Sequence, residues 1–242
     1  MVILSNEISF PPVKFADQNG LLAIGGDLSM ERLKLAYRSG IFPWYSEGEP
    51  ILWYSPDPRM VLFPDELNIA KSMRQIIRSN RFRVTFNQDF EEVIRNCKNI
   101  DRINQGQDGT WITNEMLDSY VRLHKEGTAK SVEVWEDDEL VGGLYGVEAG
   151  SVFCGESMFS KLPNASKIAL VHLIERLKVG KFAILDTQFI TEHLKTFGAY
   201  EINQADFLVI LKKALMIESN FFSIGNAGEL NIELYPKADN FN

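Results

Sequence analysis

At 242 residues the chain can build one large or two modest domains, each with its own apolar core. With 45% hydrophobic and 24% charged residues it has the make-up of a soluble globular enzyme; its apolar runs fall short of a membrane span, and no secretory leader is visible. A net charge of −8 at pH 7 argues against wholesale coating of nucleic acid, while only two cysteines, with no paired spacing, and three scattered histidines argue against a disulfide framework or a metal site, so a cytoplasmic protein is expected.

Proline punctuates the first part of the chain, with seven of the nine prolines between Pro11 and Pro64. This predicts a small N-terminal domain, residues 1–68, and a larger one, residues 69–242. In the small domain Ser29 can cap a helix running to Ser39, ended by Gly40. There follow Gly40-Ile41-Phe42-Pro43-Trp44-Tyr45 and, after an acidic turn, Ile51-Leu52-Trp53-Tyr54-Ser55-Pro56-Asp57-Pro58-Arg59. The prolines disfavour a core strand and the aromatics disfavour a disordered linker. Two readings remain: a rigid, partly exposed platform for a planar ligand or base, or a small aromatic core under a loop.

Between residues 71 and 83 lie Lys71, Arg74, Arg78, Arg81 and Arg83, with no acidic residue among them. A helix over 69–79 sets Lys71, Arg74 and Arg78 along one face, either a solvated surface or a phosphate-binding patch. Residues 90–98 read as a helix, and Thr113 caps another that ends at Gly127. In the latter, Leu117, Tyr120, Val121 and His124 share a face, so His124 reads as a packed histidine rather than a ligand. Three strands follow, 131–136, 140–147 and 151–159, joined at Asp137-Asp138 and Ala149-Gly150. Next come a helix over 166–179 closed by Gly180, a strand over 182–187, a short helix to Phe197, and an apolar helix over 205–217. Beyond Ser219 the chain reads as a polar tail or an extra strand. The layout is α+β, a sheet flanked by helices.

Strand alternation puts Cys154, Glu156 and Met158 on one face, and Phe153, Gly155, Ser157 and Phe159 on the other. Glu156 then sits among apolar neighbours and must find a partner or accept a raised pKa. Asp186 and Gln188 share a face with Ile184 and can form one hydrogen-bonded unit at a strand end. All three polar residues also fit a structural network or a turn cap.

Four stretches together closely resemble the leucyl/phenylalanyl-tRNA–protein transferases, in the family's order and from about residue 10 to about residue 200. They are Asn19-Gly20-Leu21-Leu22-Ala23-Ile24-Gly25-Gly26-Asp27-Leu28, the aromatic run, Gly155-Glu156-Ser157-Met158-Phe159-Ser160, and Leu185-Asp186-Thr187-Gln188-Phe189. The resemblance implies an acetyltransferase-like (GNAT-like) mixed sheet in the larger domain. It implies transfer of leucine or phenylalanine, less readily methionine, from aminoacyl-tRNA to proteins beginning with arginine or lysine, which marks them for N-degron proteolysis. The aminoacyl ester is already activated, so no metal, ATP or other cofactor is expected, and no membrane partner.

The reaction must take a proton from an α-amine of pKa about 7.7–8.0 and stabilise an oxyanion. The resemblance implies that Gln188, oriented by Asp186, contacts and helps to deprotonate that amine; an amide is a poor base, so positioning or the tRNA ribose hydroxyl shares the work. Glu156 and Asp186 are candidates for meeting the acceptor's basic side chain. Leu144, Phe153, Met158, Leu170, Leu173, Leu177 and Leu185 are candidates for lining the donor side-chain pocket, and several fit ordinary core equally well. Trp44 and Trp111 match the positions that stack on the 3′-terminal adenosine; Trp111, in Gly109-Thr110-Trp111-Ile112, also fits a staple at the entry of the following helix. With the resemblance, the basic stretch reads as a surface for the tRNA acceptor stem. Thr187 stands where relatives often carry cysteine, and Leu144 where some carry methionine.

Two other readings are weighed by the same residues. A coenzyme A-dependent acetyltransferase needs a glycine-bearing pyrophosphate turn, and Ser160-Lys161-Leu162-Pro163-Asn164-Ala165 has no glycine. A non-catalytic RNA-binding module would leave Glu156, Asp186 and Gln188 without a role.

Overall fold

A computed structural model describes residues 2–99 and 111–221. In chain order it contains β1 (Val2–Leu4), β2 (Leu21–Gly25), α1 (Met30–Arg38), β3 (Phe42–Pro43), β4 (Leu52–Tyr54), β5 (Arg59–Leu62), α2 (Lys71–Arg78), β6 (Arg83–Phe86) and α3 (Phe90–Asn99). Then come α4 (Asn114–Lys125), β7 (Ala129–Glu136), β8 (Glu139–Ala149), β9 (Val152–Ser160), α5 (Ala165–Val179), β10 (Ile184–Gln188), α6 (Glu192–Lys195), β11 (Tyr200–Ile202) and α7 (Gln204–Ala214). The helix starts follow local chemistry: the hydroxyls of Ser29 and Thr113 accept from the amides of Arg32 and Met116, capping α1 and α4. Helix α2 begins two residues later than the charge spacing suggests, at Lys71, with no side-chain cap from Ala70.

The strands form a four-stranded sheet, β1-β2-β4-β3, and a seven-stranded sheet, β11-β5-β10-β9-β8-β7-β6. The α+β class is thus correct. Strands β6 to β9 form an antiparallel meander; α5 then crosses over so that β10 pairs parallel to β9. Strand β5, which the boundary at residue 68 assigns to the small domain, lies inside the large sheet between β11 and β10. Pro58 and Pro64 bracket it rather than interrupt it, and all four of its residues are buried.

One apolar cluster packs α3, α4 and α1 on one face of the large sheet; the other packs α5 and α2 on the opposite face. The strict alternation expected for 151–159 fails at one residue. Tyr145 pairs with Ser157 and Gly146 with Gly155, which leaves Glu156 as an extra residue in β9. Side-chain parity therefore inverts: Cys154 and Phe159 enter the α3/α4 cluster, whereas Phe153 and Met158 face the α5 side. Gly146 permits this, since a Cβ there would lie 2.3 Å from the Cys154 carbonyl oxygen. His124 is packed, as expected, stacked on Phe90 with Nδ1 2.9 Å from the Ala129 carbonyl oxygen.

Among the described residues no helix is long and apolar enough to cross a membrane, and no cluster of three His, Cys, Asp or Glu side chains could hold a metal ion. The expected tail or strand past Ser219 lies almost wholly outside the described residues, as do Gly109 and Thr110.

Candidate active site

Two irregularities in adjacent strands converge. The bulge in β9 turns Glu156 out of the ladder; next to it, the β10–β5 register slips at Thr187, so that Asp186 faces Val61 and Gln188 faces Met60. Gln188 has a φ of +60°. The side-chain amide of Gln188 donates to Glu156 Oε1 at 3.1 Å, and its backbone N–H donates to Asp186 Oδ1 at 3.0 Å. The three polar residues picked from the sequence therefore form one connected unit.

Their environments differ sharply. Asp186 is fully buried and gripped by Arg59, whose Nε and Nη2 donate to its two carboxylate oxygens at 2.8 and 2.7 Å. Its charge is already matched inside the fold by that guanidinium. Glu156 keeps partial solvent access. Its carboxyl is pushed up to about 7 by burial, against the hydroxyls of Tyr37 and Tyr120, with the Asp186 charge raising it further and Arg59 opposing. Tyr120 donates to Glu156 Oε2 at 3.3 Å, and the Tyr37 and Tyr120 hydroxyls bond to one another. Burial, and then the neighbouring Glu156 carboxylate, raise both phenols well above their usual range.

Arg59, Tyr37 and Tyr120 complete this unit, and sequence reasoning assigned none of them to it. Arg59 closes the aromatic run quoted above, where a cation inside an apolar strand was the available signal. Its partner lies 127 residues away, beyond any local pattern.

The aromatic platform abuts the same strand end. Phe189, next to Gln188, packs against Trp44 at 5.1 Å, Phe42 at 5.5 Å and Tyr54 at 6.3 Å between ring centroids. Trp44 is 37% exposed, whereas Trp53 is fully buried, so the run is part surface and part core. Trp111 is partly buried against the α3/α4 cluster. The Tyr45 hydroxyl lies 3.2 Å from that of Thr113, which ties the Trp44 and Trp111 segments together.

The seven apolar candidates gather in the α5-side cluster. Leu144, Phe153, Leu170, Leu173, Leu177 and Leu185 are each at most 3% exposed, and only Met158 is partly open. The basic candidates are all exposed, but they divide. Lys71, Arg74 and Arg78 line the outer face of α2, whose inner face buries Met73 and Ile77. Arg81 pairs with Glu136, and Arg83 sits 5.1 Å over the Trp135 ring, at the β6 edge four strands from β10.

The family model described as leucyl/phenylalanyl-tRNA protein transferase matches residues 61–212, and the model for its N-terminal domain matches residues 26–57. The chain is therefore an aminoacyltransferase. It is 59% identical over 212 residues to the leucyl/phenylalanyl-tRNA–protein transferase of Flavobacterium johnsoniae, covering 88% of this chain and 99% of that one. Proteins of the same name from Flavobacterium psychrophilum and Christiangramia forsetii are 55% and 54% identical, covering 88% and 87% of this chain and 100% of each relative. The chain belongs to the leucyl/phenylalanyl-tRNA–protein transferase family.

Proposed function

We propose that the chain moves leucine or phenylalanine, and less readily methionine, from aminoacyl-tRNA to the α-amine of proteins that begin with arginine or lysine, marking them for N-degron proteolysis in the cytoplasm. The observation that carries this reading is the Glu156–Gln188 pair beside the aromatic platform. Because the Gln188 amide nitrogen donates to Glu156, the Gln188 Oε1 is left to accept from an incoming amine. Glu156, at about 7, is matched to receive the proton that the neutral form of an amine of pKa about 7.7–8.0 sheds as it attacks the ester. It is also the carboxylate with solvent access to an acceptor's basic side chain, since Asp186 is committed to Arg59.

Trp44 and Trp111 stack on the terminal adenosine of the tRNA, and the outer face of α2 contacts its acceptor stem. The donor side chain enters the α5-side cluster at Met158, the member that is not sealed. The meander followed by a crossover helix and a parallel strand supports an acetyltransferase-like core, with the aromatic platform as the smaller N-terminal domain.

The test is transfer of radiolabelled leucine from leucyl-tRNA to a peptide with N-terminal arginine, against the same peptide with its α-amine acetylated. Label in the first and none in the second is expected. Bound tRNA without transfer to either would leave a non-catalytic RNA-binding module in its place.

A further inference from the structure

Gln188 occupies a conformation that its own chemistry does not favour. With φ at +60° and the Phe189 amide donating to the Thr187 carbonyl at 2.7 Å, it is the middle residue of a γ-turn of the rarer, strained hand. Strain of this kind persists only where the surroundings over-determine the backbone. Here they do. The Gln188 N–H is held by Asp186 Oδ1 at 3.0 Å, and the Thr187 hydroxyl donates to the Met60 carbonyl at 3.2 Å.

Asp186 can hold that amide only if its carboxylate has a single orientation. Arg59 supplies one by contacting both oxygens, and Arg59 is itself fixed. Its Nη1 donates to the Gly40 carbonyl at 3.2 Å, and its guanidinium lies 4.9 Å from the Phe42 ring centroid and 4.6 Å from that of Phe207. Arg59 is 2% exposed and Asp186 0%, so neither touches a substrate. A buried ion pair is a poor way to gain stability, since well-packed apolar residues often do as well or better. A paired fork that sets a carboxylate's direction, by contrast, has no apolar substitute.

We propose that Arg59 is a positioning residue for the transfer reaction: by gripping Asp186 it fixes the turn that presents Gln188 to Glu156 and to the acceptor amine. The assignment rests on the reading of Gln188 as the amine's contact.

The experiment measures leucine transfer to an arginyl peptide by Arg59→Lys, Gln188→Ala and the double substitution, with KM for leucyl-tRNA and thermal unfolding followed alongside. Lysine keeps the charge and loses the fork. Arg59→Lys should lower kcat at least about tenfold and leave KM for leucyl-tRNA within about twofold. In the Gln188→Ala background the same change should add less than about twofold, because its effect runs through Gln188. Equal losses in both backgrounds, or an undiminished kcat in Arg59→Lys, would overturn the proposal. If Arg59→Lys does not fold, Arg59→Met with Asp186→Asn removes both charges together; a folded, slow enzyme is expected, and a folded one with wild-type kcat would overturn it. Gln188→Ala alone separates the two levels: full activity there would sink the reading of the site and the proposal with it.

Discussion

The amide of Gln188 and the carboxyl of Glu156, 3.1 Å apart, join two strand irregularities that each expel a polar side chain from its ladder. Glu156 is pushed up to about 7 by burial beside Asp186, with Tyr37, Tyr120 and Arg59 pulling the other way. The ionised form is the one that accepts a proton, so single-turnover transfer should rise with pH through about 7. Glu156→Gln should lose that limb, retain the later rise from the acceptor amine, and run on the order of 10²-fold slower at pH 8. A variant profile superimposable on wild type would remove Glu156 from proton transfer.

Trp44 packs against Phe189 and Tyr54 and keeps 37% of its surface exposed. Stacking on a base contributes about 1–3 kcal/mol, so Trp44→Ala should raise KM for leucyl-tRNA on the order of tenfold or more while KM for the peptide barely moves. The opposite pattern would assign Trp44 to the acceptor.

Met158 and Leu173 belong to one apolar cluster and should respond differently. Leu173 is 1% exposed, so Leu173→Ala leaves a cavity and should cost about 2–5 kcal/mol in urea unfolding. Met158 sits at the partly open margin, and Met158→Ala should fold normally while weakening leucine transfer by about 1–3 kcal/mol in kcat/KM. Normal transfer by folded Met158→Ala would make the whole cluster core.

His172 on α5 is lowered to about 4 by burial and by the neighbouring Arg176 charge, and its Nδ1 has no hydrogen-bond partner among the described residues. Its folded pKa lies below the unfolded value, so the unfolded chain binds more protons between about 6.5 and 4, and stability is lost as pH falls through that window. His172→Leu forfeits no hydrogen bond at Nδ1. Relative to wild type it should gain on the order of 2 kcal/mol between pH 7 and pH 4 in urea melts. Parallel pH dependences would show that His172 titrates normally.

Local chemistry was legible in the sequence and non-local geometry was not. Ser29 and Thr113 cap their helices because a hydroxyl meets an amide three residues on. Glu156, Asp186 and Gln188 were identifiable as residue types at a strand end, but their connectivity depends on two bulges, and period-two alternation carries past a bulge without registering it. The pairing of Gly146 with Gly155 marks the first bulge only once the register is known. Likewise Arg59 and Asp186 meet because β5 leaves the proline-rich segment to enter the large sheet, which the density of prolines around it concealed.

That register also divides the five basic candidates. Lys71, Arg74 and Arg78 lie on the exposed face of α2, and Arg81 and Arg83 lie at the β6 edge beside Glu136 and Trp135. Four strand spacings put that edge roughly 19 Å from β10. Contact with phosphate shows itself as salt dependence, about 0.7–0.9 in log–log slope for each phosphate neutralised. Arg74→Glu with Arg78→Glu should raise KM for leucyl-tRNA steeply at low salt and flatten its dependence on salt by about one to two slope units. Arg81→Glu with Arg83→Glu should shift the slope by less than half as much. If the second pair flattens it more than the first, the acceptor stem runs along β6 and not along α2.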